Sequence, residues 1–159
     1  KISMNYDRVI WRCITLKIST KGRYALRLMI YIAANSNGKP VSIKDVAKNE
    51  DISDKYLEQI ISILNSGGLV RSVRGPQGGY LLRKAPEDIT VGAVLRLTEG
   101  TLAPVACVEE DAPECERESI CSTYNLWKQL YSAICSVVDT TTIADLCNSR
   151  PEAGDEYCI

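Results

Sequence analysis

The stretch "ISDKYLEQIISILNSGGLVRSVRGPQGGYLLRK", residues 52–84, decides the fold. Its first half repeats apolar residues at helical spacing, so we predict a helix that Ser53 caps and that stops at the glycine pair 67–68. Its second half contains two β-prone runs, residues 69–73 and 80–83, separated by "RGPQGG". Two such runs around a Gly/Pro tip predict a β-hairpin.

A shorter helix is predicted directly before this stretch. In "VSIKDVAKNED", Ser42 occupies an N-cap position and Asp45 follows three residues later, close to a capping box. Two short helices with a tight break between them form a helix-turn-helix, although helical hairpins also occur in proteins that never bind DNA. A hairpin directly after such a pair is a wing, and basic residues line it: Arg71, Arg74, Arg83 and Lys84. The pattern favours a DNA-binding wing over a flexible loop with solvated charges.

Three further helices are predicted around this unit. "TKGRYALRLMIYIAANS" is an amphipathic helix with Thr20 as its cap, and "ITVGAVLRLTEG" is a short helix capped at Thr90. "CSTYNLWKQLYSAICSVVDTTT" is a long helix with one apolar stripe, made of Leu126, Trp127, Leu130, Ile134, Val137 and Val138. This stripe most simply packs against a second copy of the chain, and the alternative is docking on the chain's own first helix.

The expected fold class is therefore mainly α with a small β-hairpin wing, a winged helix-turn-helix followed by a long C-terminal dimerisation helix. We expect an N-terminal extension over residues 1–16 and a winged helix-turn-helix DNA-binding domain over residues 17–86. The cysteine loop and the dimerisation helix occupy residues 87–148, and residues 149–159 form a C-terminal tail.

Composition and charge limit the cellular compartment and the class of binding partner. The chain has 159 residues, of which 45% are hydrophobic and 25% charged, and no apolar run approaches the roughly 20 residues that a membrane helix needs. The first residues lack the apolar centre of a secretory signal, so we expect a cytoplasmic protein without membrane contact. Residues 1–86 contain 15 Lys and Arg against 6 Asp and Glu, whereas residues 87–159 contain 4 against 14. A basic half joined to an acidic half indicates that one part binds a polyanion.

The acidic half contains the loop "PVACVEEDAPECERESIC", residues 104–121, with three cysteines, six carboxylates and one basic residue, in a chain without histidine. A structural disulfide, a metal or cluster site, and incidental surface thiols all remain open for it. Seven cysteines in a reducing compartment favour thiols or ligands over a disulfide framework. We expect Cys135 and Cys147 to be core residues. A thiol-redox enzyme and a protein-binding winged-helix module are weaker alternatives, because no C-x-x-C motif occurs, only Arg117 lies near the thiols in sequence, and the wing is basic.

The strings "KISTKGRYALRLM", "YLEQ", "VRGPQGGYLL" and "ITVGAVLRLTEG" resemble the Rrf2 family of winged-helix transcription regulators, over residues 17 to about 148. Its members include an iron–sulfur cluster regulator, a nitric-oxide sensor, and a cysteine-metabolism repressor that works without a cluster and through a partner enzyme. The resemblance implies a non-enzymatic homodimer that binds palindromic operators in double-stranded DNA, most simply as a repressor. Iron–sulfur cluster genes and cysteine or sulfur metabolism genes are both open as targets.

The family's DNA contacts fall on three segments of this sequence. The resemblance implies phosphate contacts by Lys21, Arg23 and Tyr24, recognition-helix contacts by Tyr56, Glu58 and Gln59, and a wing tip in the minor groove formed by Arg74, Gly75, Pro76 and Gln77. Lys55 and Gln59 lie four residues apart on one helix face, and Gln pairs bidentately with adenine. Glu58 could accept from a cytosine amino group, repel phosphate, or be a solvated charge.

Cluster-binding members of the family have three cysteines in this loop, and Cys107, Cys115 and Cys121 match them as ligands of a possible [2Fe–2S] cluster. The first gap is seven residues here instead of the family's usual five, and Tyr124 and Arg23 occupy the places of the two known fourth ligands. Candidates for a fourth ligand are Cys13, Glu110, Asp111 and Glu114. Cys135 is separated from Cys121 by about 21 Å of helix and is not a candidate. The alternative is a redox-reactive loop without metal.

Overall fold

The structure is a computed structural model that describes residues 17–149 except residues 114 and 116. The described chain is mainly helical with one two-stranded antiparallel sheet, which confirms the predicted fold class. Its elements are α1 (Thr20–Asn35), α2 (Ile43–Glu50), α3 (Asp54–Ser66), β1 (Val70–Val73), β2 (Gly79–Leu82), α4 (Val91–Glu99), α5 (Tyr124–Thr140) and α6 (Ile143–Asn148). Within these described residues, no helix is long and apolar enough to span a membrane.

Helix α1 lies at the centre of the molecule. Its residues Ala25, Leu28, Met29 and Ile32 are almost completely buried, and their spacing of three and four places them on one helix face. Helices α2, α3, α4 and α6 and strand β2 all contact α1. The positions of the elements around α1 therefore depend on how its apolar face packs.

The cap of α1 corrects the sequence prediction. Ser19, not Thr20, is the N-cap: its backbone is extended and its hydroxyl accepts a hydrogen bond from the Gly22 amide at 3.3 Å. Thr20 is the first residue of the helix. Ser42, Ser53 and Thr90 occupy the predicted N-cap positions, although the Ser53 side chain makes no capping hydrogen bond.

The helix-turn-helix and the wing form as predicted. Helix α2 ends at Glu50 and is capped by Asp51, which adopts a left-handed backbone conformation with φ of 53°, and α3 begins three residues after this cap. Strands β1 and β2 pair antiparallel, with Val70 opposite Leu82 and Val73 opposite Gly79. Val41 and Tyr80 exchange two backbone hydrogen bonds, of 3.0 and 2.8 Å, which tie the wing to the segment before α2.

The second half of the chain shares the core of the first. Ile89, Val94 and Ile143 belong to the same buried apolar cluster as the helices of the winged unit. Backbone hydrogen bonds join the segment before α4 to the segment before α6: Val91 N–H donates to Thr141, and Ile143 N–H donates to Ile89, both at 2.9 Å. Helices α4 and α6 are therefore packed onto the winged helix-turn-helix unit, and the described elements form a continuous body.

Gly79→Ala tests the attachment of the wing. An added methyl group would overlap the Val41 carbonyl oxygen, which is main chain and cannot move aside easily. We expect the substitution to lower the free energy of unfolding by about 1–3 kcal/mol in urea denaturation. Ser72→Ala, at an exposed position on β1, is the matched control. If both variants were as stable as the parent, the wing would not be fixed by the Val41 bridge.

Candidate nucleic-acid interface and cysteine pocket

Helix α3 has one buried and one exposed face. Its buried face packs into the core through Leu57, Ile60, Ile61 and Leu64. Lys55, Glu58 and Gln59 are exposed, as expected for residues that contact a partner. The burial of the apolar face orients α3 so that these three polar side chains face solvent.

Tyr56 belongs to a contact that joins three helices. Its ring packs edge-to-face against Tyr24 of α1, with ring centroids 5.8 Å apart. The Arg27 guanidinium lies over the Tyr24 ring at 5.4 Å, and its Nε donates to the Glu50 carboxylate at the end of α2 at 2.7 Å. Both tyrosines are half-buried, so they position α3 against α1 as well as facing the predicted DNA surface. Sequence patterns missed Arg27, because its partners are distant in the chain.

The wing tip is narrow and exposed. Arg74, Gly75, Pro76 and Gln77 are all exposed, and the Gly78 amide donates to the Gly75 carbonyl oxygen at 2.9 Å to close the turn. Gly75 has a φ of 130°, which a residue with a side chain rarely adopts. A closed tip of this kind can enter a groove of DNA.

The first turn of α1 contains the remaining predicted DNA contacts. Arg23 is exposed and donates to the Thr20 hydroxyl at 3.3 Å, and Lys21 is half-buried. The Tyr24–Tyr56 contact brings this turn next to the start of α3. Two of the three predicted contact segments are therefore direct neighbours.

The cysteine loop and α5 form an open pocket of about 440 Å³. Cys107 and Cys115 line it, whereas Cys121 does not. The Cys121 sulfur lies 3.5 Å from the Thr123 hydroxyl, a hydrogen bond that lowers the pKa of this thiol. Burial, followed by the neighbouring Glu118, raises the pKa of Tyr124 in the pocket wall.

The three loop cysteines do not form a metal-binding group in the described part of the chain. There, no three Cys, Asp or Glu side chains are close enough together to hold a metal ion. Two of the fourth-ligand candidates, Cys13 and Glu114, lie outside the described residues. Within the described residues, Cys107, Cys115 and Cys121 therefore do not come together as a three-thiolate site.

Cys135 corrects another expectation. It is half-buried and lines the pocket with Cys107 and Cys115, although its place on an apolar helix face predicted a core position. The Arg96 guanidinium donates to its sulfur at 3.5 Å and to both Asp139 carboxylate oxygens at 2.5 and 2.9 Å. These hydrogen bonds raise the pKa of Arg96 and lower that of Asp139.

Folding also brings a second basic residue to the thiols. Lys128 lines the pocket on the same face of α5 as Tyr124, Tyr131 and Cys135, at spacings of three and four. Arg117 is therefore not the only basic residue near the cysteines. The sequence spacing places these residues on one face of α5, but it does not show that the cysteine loop packs against that face.

Helix α5 presents two apolar faces, and the predicted dimer stripe is divided between them. Ile134 and Val138 pack with Tyr131 against α4, on the cluster of Val91, Leu95 and Leu102 in the same chain. Leu126 and Val137 are 55% and 62% exposed. Leu130 and Trp127 are half-buried. Within the described residues, α5 packs mainly on α4 and on the segment around Cys107, and Leu26 of the first helix joins the same apolar cluster.

The geometry agrees with comparisons to known proteins. A family profile described as Rrf2, iron-dependent transcriptional regulator, matches residues 18–149. The chain belongs to the Rrf2 family. It is 41% identical to the HTH-type transcriptional regulator CymR of Bacillus subtilis over 89% of this chain and 97% of that protein. It is 38% identical to the HTH-type transcriptional regulator IscR of Yersinia pseudotuberculosis, over 85% of this chain and 81% of that protein.

Solved structures of the Rrf2 family show the same fold. The global cysteine regulator CymR of B. subtilis superposes with a TM-score of 0.70 at 42% identity, over 84% of this chain and 98% of that one. IscR of T. potens superposes with a TM-score of 0.69 at 36% identity, over 88% and 92%. The protein is thus a winged-helix, DNA-binding transcription regulator, and its named relatives are regulators and not enzymes.

Arg74→Ala tests the wing. Because Arg74 is exposed at the tip, its loss should leave folding intact and weaken binding to a selected DNA duplex by about 1–3 kcal/mol. The matched control is Arg117→Ala, which removes an exposed arginine from the cysteine loop. Equal affinity of the Arg74 variant and the parent in a gel-shift titration at moderate salt would exclude this residue from the interface.

Proposed function

We propose that the protein is a homodimeric, sequence-specific repressor that binds a palindromic operator in double-stranded DNA in the cytoplasm. The observation that supports this most strongly is the exposed face of α3, with Lys55, Glu58 and Gln59, next to a closed basic wing. In this proposal α3 enters the major groove and the wing tip enters the neighbouring minor groove.

The DNA contacts divide into positioning and sequence-reading groups. Lys21, Arg23 and Tyr24 contact phosphates, which fixes the register of the protein on the duplex. Gln59 and Lys55 contact base edges. Glu58 either accepts a hydrogen bond from a cytosine amino group or repels a phosphate that is out of register. Tyr56 contacts DNA through the outer edge of its side chain, while its ring stays packed on Tyr24.

The proposed dimer forms through the outward face of α5. Leu126, Leu130 and Val137 lie along this face at spacings of four and seven residues. Among the residues that the structure describes, Leu126 and Val137 are two of the few large apolar side chains that are exposed. Trp127 and Ile134, which also belong to the predicted interface, border it from the side that packs on α4. A second copy would bury this stripe symmetrically and hold two winged units on one DNA site.

Leu126→Asp and Val137→Asp test the dimer. Each would place an unpaired carboxylate in the proposed apolar seam, so light scattering should show a monomer or loss of the assembly. Because both positions are exposed in the single chain, the helical circular dichroism signal should persist.

Ser136→Asp is the control for this pair, because it adds the same charge at an exposed position on another side of α5. A dimer of unchanged stability in both the Leu126 and the Val137 variants would eliminate α5 as the interface.

The cysteine loop is proposed to act through its thiols, in a regulator of cysteine or sulfur metabolism. Three observations support this: the loop cysteines do not converge on a metal-binding group in the described residues, two of them face a pocket, and a similar solved protein is a global cysteine regulator. A partner enzyme of cysteine metabolism is the proposed source of the signal. The second candidate is regulation of iron–sulfur cluster genes, favoured by the family's description as iron-dependent.

Absorption spectroscopy separates these two candidates. Protein purified without oxygen and incubated with ferrous iron and sulfide should remain colourless and iron-free after desalting, because three convergent thiolates and a fourth ligand are needed to retain a cluster. A stable visible absorption would contradict this, provided that Cys107→Ser, Cys115→Ser and Cys121→Ser each abolish it and Cys147→Ser does not.

A further inference from the structure

The N-terminus of α1 is tied to the C-terminus of α4 by one side-chain hydrogen bond. The Ser19 hydroxyl donates to the Glu99 carboxylate at 2.7 Å, between residues eighty positions apart in the chain. The same hydroxyl accepts from the Gly22 amide and so caps α1. A single hydroxyl therefore links the cap of one helix to the last residue of another.

Gly22 lets the two helices approach this closely. A methyl group at this position would overlap the Glu99 carboxylate and crowd Leu95 of α4. Gly22 is buried although it lies in the first turn of α1. The space beside position 22 is thus filled by the Glu99 and Leu95 side chains, which lie against Gly22 next to the Ser19–Glu99 hydrogen bond.

This contact lies beside the residues assigned to DNA phosphates. Lys21 and Arg23 flank Gly22 in the same turn of α1. A shift of this turn would move both basic side chains together, because they share one segment of helix. Placement of these cations against a regular array of phosphates is sensitive to such a shift.

The other end of the connection leads to the cysteine pocket. Glu99 is the last residue of α4, Gly100 follows with a φ of 86°, and the loop that leads to Cys107 begins there. One turn earlier on α4, Arg96 binds Asp139 and the Cys135 sulfur on α5. Helix α4 therefore contacts the pocket and α5 through Arg96, and the DNA-binding half through Glu99.

We propose that Glu99 is a positioning residue for DNA binding. It accepts a hydrogen bond from the Ser19 hydroxyl and so holds the first turn of α1 in register with the phosphates. Through Arg96 on the same helix, it also connects this turn to α5 and the cysteine loop. The inference rests on the proposed phosphate contacts of Lys21 and Arg23. It predicts that the acceptor oxygen of residue 99 matters, and that its negative charge does not.

Two variants of Glu99 distinguish the acceptor from the charge. Glu99→Ala removes both and should weaken binding to the duplex that the parent protein selects from a random library by about tenfold. Glu99→Gln keeps an acceptor oxygen for Ser19 and should bind within about twofold of the parent. Glu87→Ala, which removes an exposed acid elsewhere, controls for the change in net charge.

Salt dependence shows whether the loss comes from phosphate contacts. With Glu99→Ala, the plot of log affinity against log salt should become shallower by about 0.9 for each phosphate contact that is lost. A purely structural defect would lower the fraction of active protein and leave this slope unchanged. Circular dichroism and thermal melting of each variant give the folded fraction.

Double-mutant cycles locate the effect. Glu99→Ala added to Lys21→Ala should cost less than the two single losses combined, whereas Glu99→Ala added to Arg74→Ala should be additive, because the wing tip is a separate contact. Additivity with Lys21, an unchanged slope, or tighter binding by Glu99→Gln would each overturn the inference. If the parent protein selects no duplex, the proposed DNA function fails instead.

Discussion

The burial of one face of α1 is the constraint on which the rest of the molecule depends. Ala25, Leu28, Met29 and Ile32 are all within 1% of complete burial, and α2, α3, α4, α6 and the wing contact the helix that contains them. Because buried side chains interlock, the tilt of α1 fixes where α3 presents its polar face. The Tyr24–Tyr56 contact and the Arg27–Glu50 ion pair then lock the surface side of the same arrangement. The core and the proposed DNA surface therefore depend on the same packing of α1.

Helices α4 and α5 connect that packing to the acidic half. Helix α5 packs one apolar face on α4 and presents a second one to solvent, while its polar flank closes the cysteine pocket. Arg96 joins α4 to α5, and Glu99 joins α4 to the start of α1. A chemical event at the pocket thiols would therefore have a short, packed route to the first turn of α1, which contains the proposed phosphate contacts.

The elements were predictable from the sequence because each depends on local chemistry. The period of apolar residues predicted the helices, and "RGPQGG" between two β-prone runs predicted the wing. The cap at Ser19 was missed because two adjacent hydroxyl residues are equivalent in sequence, and only the backbone conformation distinguishes them. Contacts that span the chain were also missed: Ser19 with Glu99, Arg96 with Cys135, and the division of the α5 stripe into two faces. These depend on tertiary packing, which leaves no periodic signal in one segment.

The most direct test of this account is the selection of binding sites from a random duplex library with the purified wild-type protein. Two winged units held by one α5 seam should select an inverted repeat, with half-site centres separated by about one helical turn of DNA, or a multiple of it. Affinity for the selected site should fall steeply as salt rises, because phosphate contacts release counterions. Enrichment of no sequence, or of a lone half-site without its symmetric partner, would contradict the account.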